Sequence, residues 1–418
     1  MKLIADFHIH SRYAMACSSQ ITIKGLDETA KTKGVGLLST GDFTHPEWLK
    51  EIKATLEPDG EGLYRVKGSD TGVRFIIGGE VCTISKDGKG AIKKIHHCLT
   101  VPSIESGEAV IDAIKGYGAL ASDGRPQLSI SAAGFVEKVM SVEKRAFVFP
   151  AHVWTPFFGA LGSLSGCNSI KEAYEDQEKH IHALETGLSS DPEMNWMVSK
   201  NDKYALVSNS DMHSLPKMGR EANVFEVDKD RLSYDMIVGS IKGKNNRIFK
   251  GTIEFYPEEG KYHFDGHRNC NYSVDPSKTK NQICPVCGKR LTIGVMHRVS
   301  DLADREYGYR PEADSEFVRI VPLREVIAHV KGKPETSKSV IELYDRMVSE
   351  IAPEFDILID ARLSDIGAVD EGVAEAIDRM RTGRIEIRPG YDGVFGEVDL
   401  LGKGVSKGVE NRQRSLFG

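Results

Sequence analysis

What these 418 residues lack narrows the field before any motif is read. No run of about 18 apolar residues occurs, so no membrane span is expected. The opening MKLIADFHIH has no basic stretch leading into an apolar core, so no secretory leader is expected. Cysteine is sparse and odd in number, with seven residues, and Cys17, Cys82, Cys98 and Cys167 are scattered. That usage argues against a disulfide framework and for a reducing, cytoplasmic setting. A basic excess is missing too. Lys and Arg number 55 against 61 Asp and Glu, a net charge of −6, so the molecule as a whole does not advertise a polyanionic partner. A local basic groove is compatible with that mean. Internal repeats and low-complexity blocks are also missing.

What is present is an ordinary globular composition, 40% apolar and 28% charged, long enough for two or three domains with a sizeable core. Histidine is distributed unevenly: nine of thirteen lie between His8 and His213. The same region carries short apolar bursts, KLIADFHIH, GVGLLSTGD, VRFIIGGEV, HHCLTVP, AFVFPAHVW, IHALETG and YALVSNSDMH. Helical patterns such as ITIKGLDETAKTKG and EAVIDAIKGYG lie between several of them. Alternating strands and helices predict an α/β fold, a mainly parallel barrel or layered sheet. The expected division is 1–227 for this unit, 228–302 for a module containing GKYHFDGH and the remaining cysteines, and 303–402 for a mostly helical region. In that last region RIEIRPGYDGVFGEVDLL reads as two strands around Pro389–Gly390. A polar, flexible tail is expected at 403–418.

The chemistry gathers at the strand ends. His8 and His10 form an H-x-H whose period-2 alternation puts both imidazoles on one side of a sheet, an arrangement suited to Zn, Mn or Fe. Later strand ends supply Asp42 and His45, Glu80, His96 and His97, His152, and Asp211 with His213. Of His96 and His97, one is expected to bind metal and the other to pack or brace. Glu185 is either a ligand or an orienting group, and His180 and His182 are read as non-ligands. Carboxylates that bridge two cations let a site clamp both the attacking and the leaving oxygen of a phosphoester. Further on, thirteen residues separate Cys270 from a C-x-x-C made of Cys284 and Cys287 in CPVCGK. A closed tetrahedral structural zinc needs a fourth ligand. His267 is the leading candidate, with His263 and His297 as alternatives.

The motifs HIH, TGD, GGE, HHCL, PAH and SDMH resemble, in order, those of the polymerase and histidinol phosphatase (PHP) superfamily. The resemblance implies a distorted (β/α)7 barrel with two or three divalent metals (Zn, Mg or Mn). It assigns His8, His10, Glu80 and Asp211 to one metal and Glu80, His97 and His152 to a second, with Glu80 bridging. His213 with Asp42 or His45 would hold a third. Two departures fall at that third position. The family's T-D-H is here T-G-D-F-T-H, and its additional histidine after H-x-H is missing.

The added stretches YHFDGHRNC, CPVCGK and LTIGVMHRVSDLADR make nearly the whole chain similar to a family of DNA-repair endonucleases within that superfamily. Such a likeness implies damaged DNA as partner, one structural zinc, and cleavage 5′ to a deaminated base (hypoxanthine, uracil, xanthine) or an abasic site, leaving 3′-hydroxyl and 5′-phosphate. The alternative is a phosphoesterase acting on a small phosphate monoester. Base flipping calls for aromatic walls. Trp154, Phe157 and Phe158 in HVWTPFFG are candidates, with barrel core as the competing reading; Tyr13, Trp48 and Trp196 are weaker ones. The tail residues Gln413, Leu416 and Phe417 resemble a truncated sliding-clamp-binding motif.

Overall fold

The seven apolar bursts all become strands. In the computed structural model, which describes residues 1–402 apart from 165, 244, 279–280 and 312–315, they lie in a mixed α/β architecture. The strands are, in chain order, β1 (Lys2–Asp6), β2 (Leu37–Ser39), β3 (Leu56–Pro58), β4 (Tyr64–Val66), β5 (Arg74–Lys86), β6 (Ile92–Val101), β7 (Gln127–Leu128), β8 (Phe147–Pro150), β9 (Ala183–Glu185), β10 (Ala205–Val207), β11 (Ala222–Glu226), β12 (Phe249–Glu254), β13 (Asp265–His267), β14 (Tyr272–Val274) and β15 (Glu316–Arg319). The main sheet runs β15-β12-β11-β1-β2-β5-β4-β3, with β6 joining β5 to β8. The parallel pair β9–β10 fills the gap between β8 and β12. Val153 N donates to Glu185 O after β8, and Ser208 Oγ after β10 donates to Glu254 Oε2 at 3.0 Å. The result is a distorted barrel whose sheet continues past residue 227 through β12 and β15, which pair in parallel.

Local chemistry sets the helices that wrap it. The helix Ile23–Lys33 starts at Thr22, whose Oγ1 accepts from Gly25 N at 3.0 Å, and stops at Gly34, which has φ +85°. Such a cap is worth about 1 kcal/mol. The helix faces its Ile23, Leu26 and Ala30 inward. Ser103 caps Ile104–Ile114 in the same way. Beyond residue 320 the chain is mainly helical, as its periodicity predicts, and residues 386–388 and 397–399 form the expected strand pair.

Buried ion pairs bind this region and the added strand β15 to the earlier part of the barrel. Lys33 meets Glu354 at 2.8 Å, and Glu354 also accepts from Leu323 N and the Tyr344 hydroxyl. Arg319 on β15 pairs with Asp191 and, at 2.6 Å, with Glu193. Removing one partner of such a pair strands a buried charge and costs about 3–5 kcal/mol. No helix among the described residues is long and apolar enough to cross a membrane.

Candidate metal centre

β1 delivers His8 and His10 to its C-terminal end. The intervening Ile9 bridges Met212, and Asp211 N donates to His8 O at 2.9 Å, so the loop after β10 lies alongside. The alternation works as expected: both Nε2 atoms point to one place. His8 Nε2 lies 3.4 Å from Glu80 Oε2 and 3.5 Å from Asp211 Oδ1; for His10 Nε2 these distances are 3.3 and 3.0 Å. Glu80 turns its other oxygen to a second group, with Oε1 2.8 Å from His96 Nδ1 and 3.3 Å from His152 Nε2. One buried carboxylate thus faces two sets of nitrogen donors.

The far side of each leading imidazole is fixed by a carboxylate. His8 Nδ1 lies 3.0 Å from Glu185 Oε2, and His10 Nδ1 lies 3.0 Å from Asp42 Oδ1. Glu185 is itself held by His152 N at 2.7 Å and Asn209 Nδ2 at 2.8 Å. Carboxylates behind histidines set the tautomer and aim the free nitrogen, as metal sites require. The aimed atoms then lack partners. His8 Nε2, His10 Nε2, Glu80 Oε1 and Asp211 Oδ1 are buried and make no hydrogen bond. Four convergent orphan atoms would be costly in an empty core. They fit divalent cations, held by His8, His10 and Asp211 on one side of Glu80 and by His96 and His152 on the other.

Charge is divided accordingly. Burial raises the carboxyl of Asp211, but the His8 and His10 imidazoles overcome it and hold the group well below the usual range. Burial pushes His96 down to about 4 against the pull of Glu80, which leaves a neutral, ligand-competent ring. The backbone is bent to make the site. Asp42 (φ +39°), His152 (φ +30°) and Asp211 (φ +46°) are left-handed without being glycine. Such conformations concentrate where function over-determines them.

The structure corrects the expectation at His97. In the β5–β6 register Glu80 opposes Cys98 and Cys82 opposes His96, so His96 shares the Glu80 face, whereas His97 opposes Val81 on the other. His97 instead meets the Tyr174 hydroxyl and Thr83 Oγ1, each at 2.8 Å. The third grouping is not assembled among the described residues. Asp42 spends Oδ1 on His10 and Oδ2 on Ser11 N; His45 stacks on Tyr13 with ring centroids 4.3 Å apart; His213 Nδ1 meets Asp211 O.

The aromatic candidates also divide. Trp154 is buried core, its indole N–H donating to Asn195 Oδ1, which corrects its reading as a base-stacking wall. Phe158 stacks on His96 at 4.4 Å, while Phe157 is 59% exposed beside it. Trp48 and Trp196 are buried. Gln413, Leu416 and Phe417 lie outside the described residues. Arg125, not singled out from the sequence, places Nη1 3.2 Å from Glu80 Oε2. Its turn, SDGRP, carries no signal beyond D-G.

At the cysteine cluster, His267, Cys270, Cys284 and Cys287 bring their ligand atoms within 4.8 Å of one another. His263 is buried against Phe264, and His297 bonds Asp265 at 2.6 Å, so neither alternative joins the group. Burial opposes it, but the amides of Val286 and Cys287 bring the Cys284 thiol down to about 7. Gly288 (φ +71°) closes the turn, donating to Cys284 O.

Known proteins share this fold. A family model described as the MJ0043 C-terminal domain matches residues 322–384. The lesion-specific endonuclease PfuEndoQ from Pyrococcus furiosus is 33% identical, with a TM-score of 0.85 over 97% of this chain and 98% of its own. An endonuclease Q complexed with a 27-mer duplex substrate bearing an abasic lesion at the active site is also 33% identical, with a TM-score of 0.82 over 96% of each chain. Protein MJ0043 of Methanocaldococcus jannaschii is 30% identical over 256 residues, 59% of this chain. The match covers 31% of that protein, so this chain spans about a third of its length.

Proposed function

Because this chain belongs to the endonuclease Q family, we propose that it is a metal-dependent DNA endonuclease cutting 5′ to a deaminated base or an abasic site. The observation that carries the reading is the convergence of buried imidazole nitrogens on both oxygens of Glu80, with His8 Nε2, His10 Nε2, Glu80 Oε1 and Asp211 Oδ1 left without hydrogen bonds. His8, His10 and Asp211 would hold one divalent ion and His96 and His152 a second, with Glu80 between them. Bound there, such ions lower the pKa of water and stabilise charge on the attacking and leaving oxygens. In the reaction a water oxygen bonds to phosphorus, the P–O3′ bond breaks, and O3′ takes up a proton, leaving 3′-hydroxyl and 5′-phosphate.

The protein's own contribution is placement. Glu185 and Asp42 fix the two imidazoles, and Phe158 backs His96. Phe157, exposed next to the site, is the wall on which a flipped base would stack. Flipping costs a few kcal/mol, least where pairing is already lost, which favours damaged positions. The His267–Cys270–Cys284–Cys287 group would hold a structural zinc that braces its module. The test is nicking of labelled duplexes carrying uracil, hypoxanthine, an abasic site or no lesion, with Mg²⁺ or Mn²⁺, by the wild type and Asp211→Ala. A lesion-dependent nick absent from the variant supports the reading. Turnover of a chromogenic phosphomonoester with no nick on any duplex overturns it.

A further inference from the structure

Arg125 is a guanidinium built into a site otherwise made of carboxylates and imidazoles, and its loop is fixed from three sides. Asp123 Oδ1 accepts from Arg125 N at 2.9 Å and from Met15 N at 3.3 Å. Gly124 N donates to Tyr13 O at 3.0 Å, and a Cβ on Gly124 would collide with the Asp42 carboxylate and with Ala14 N, so only glycine lets the turn come this close. Pro126 O accepts from Cys82 N at 2.9 Å, two residues from Glu80 on the same strand. The turn is therefore clamped between the segment after β1 and the strand carrying the bridging carboxylate. One donor of Arg125 reaches Glu80, and the side chain is 22% exposed on its open side. A guanidinium has five donors in a planar fork that matches a phosphate edge.

Building on the nuclease reading, we infer that Arg125 is a catalytic residue, donating to a non-bridging oxygen of the scissile phosphate while its remaining contact steadies Glu80. Charge gathers on those oxygens as water adds to phosphorus, and a fixed donor is most effective there. Lysine at this position would keep the charge and lose the fork.

The test compares metal-replete wild type, Arg125→Ala and Arg125→Lys as full chains. Three quantities are measured: single-turnover nicking of an abasic duplex, metal content per chain, and binding to the same duplex with an uncleavable 3′-methylenephosphonate linkage at the cut site. Expected are equal metal content in all three and a maximum rate about 100-fold lower in Arg125→Ala, partly restored in Arg125→Lys. The salt dependence of binding should weaken by about 0.9 in log–log slope, the loss of one phosphate contact. An Arg125→Ala that cuts at the wild-type rate, or whose rate falls only in proportion to lost metal, overturns the assignment. A wild type that nicks no duplex overturns the nuclease reading itself, and this assignment with it.

Discussion

The Glu80 cluster lies buried under the strand ends of the large sheet, whereas the His267–Cys287 cluster stands at the surface among short turns, with Cys287 and Val286 exposed. Behind each leading imidazole of the first stands a carboxylate, and three of its contributing residues hold left-handed backbone. The second has one thiol, that of Cys284, served by backbone amides, and turns rather than long strands around it. A barrel that folds on its own hydrophobic interior can keep a strained, polar site in reserve for chemistry. A module without such an interior must draw its folding energy from the ligand group itself.

The contrast can be broken at several points. The largest effect is expected at Asp211→Ala, which should lower nicking about a thousandfold while the melting temperature moves by only a few degrees. A variant that unfolds instead would make the first cluster structural as well. Next comes Cys284→Ser paired with Cys287→Ser. Loss of one metal per chain should cost on the order of 10 kcal/mol of binding energy and strip amide-exchange protection from residues 263–278 and 281–297, leaving β1, β5 and β6 protected. Uniform loss of protection would erase the distinction between the regions.

A smaller change tests the orienting carboxylates. Asp42→Asn should weaken metal binding about 10- to 100-fold by disturbing His10, whereas His97→Gln, whose amide can still bond Thr83 and Tyr174, should leave metal affinity intact. Titration calorimetry with a chelator competitor reads both. The smallest effect concerns charge in the same interior. Burial pushes Glu254 up to about 8, despite hydrogen bonds from Thr252, Ser208 and Thr186, so the barrel keeps this carboxyl neutral where it keeps Asp211 charged. A folded value above the unfolded 4.5 means stability present at low pH and lost as pH rises from about 4.5 through 8. Glu254→Gln should therefore raise the melting temperature by a few degrees at pH 8.5 and by less at pH 5.

Features that depend on short-range pattern were legible in the sequence. Apolar bursts located the strands, H-x-H alternation aimed His8 and His10, and the spacing of Cys270, Cys284 and Cys287 with a nearby histidine located a compact ligand group. Features decided by contact between distant segments were not. Which of two adjacent histidines faces Glu80 depends on how β6 pairs with β5, and no local signal reports that. Trp154 follows His152 in the chain, yet the turn between them buries its indole. Asp42 looked like a ligand because its type and position suit one; only the fold shows both oxygens spent on His10 and Ser11. Arg125 was invisible because its meaning comes from Tyr13 on one side and Cys82 on the other.

The pairing of β5 with β6 runs without interruption from Ile77 opposite Val101 to Lys86 opposite Ile92. Thr83 donates to Ile95 O, so its oxygen accepts from His97 Nε2–H, and Nδ1 is left to accept from the Tyr174 hydroxyl. These bonds can form only when His97 points away from Glu80. A slip of one residue would exchange the two side chains and leave a buried hydroxyl pair unanswered. The second histidine is thus no spare for the first: it acts as a key that fits only one alignment of the hairpin, the one that presents its neighbour to Glu80.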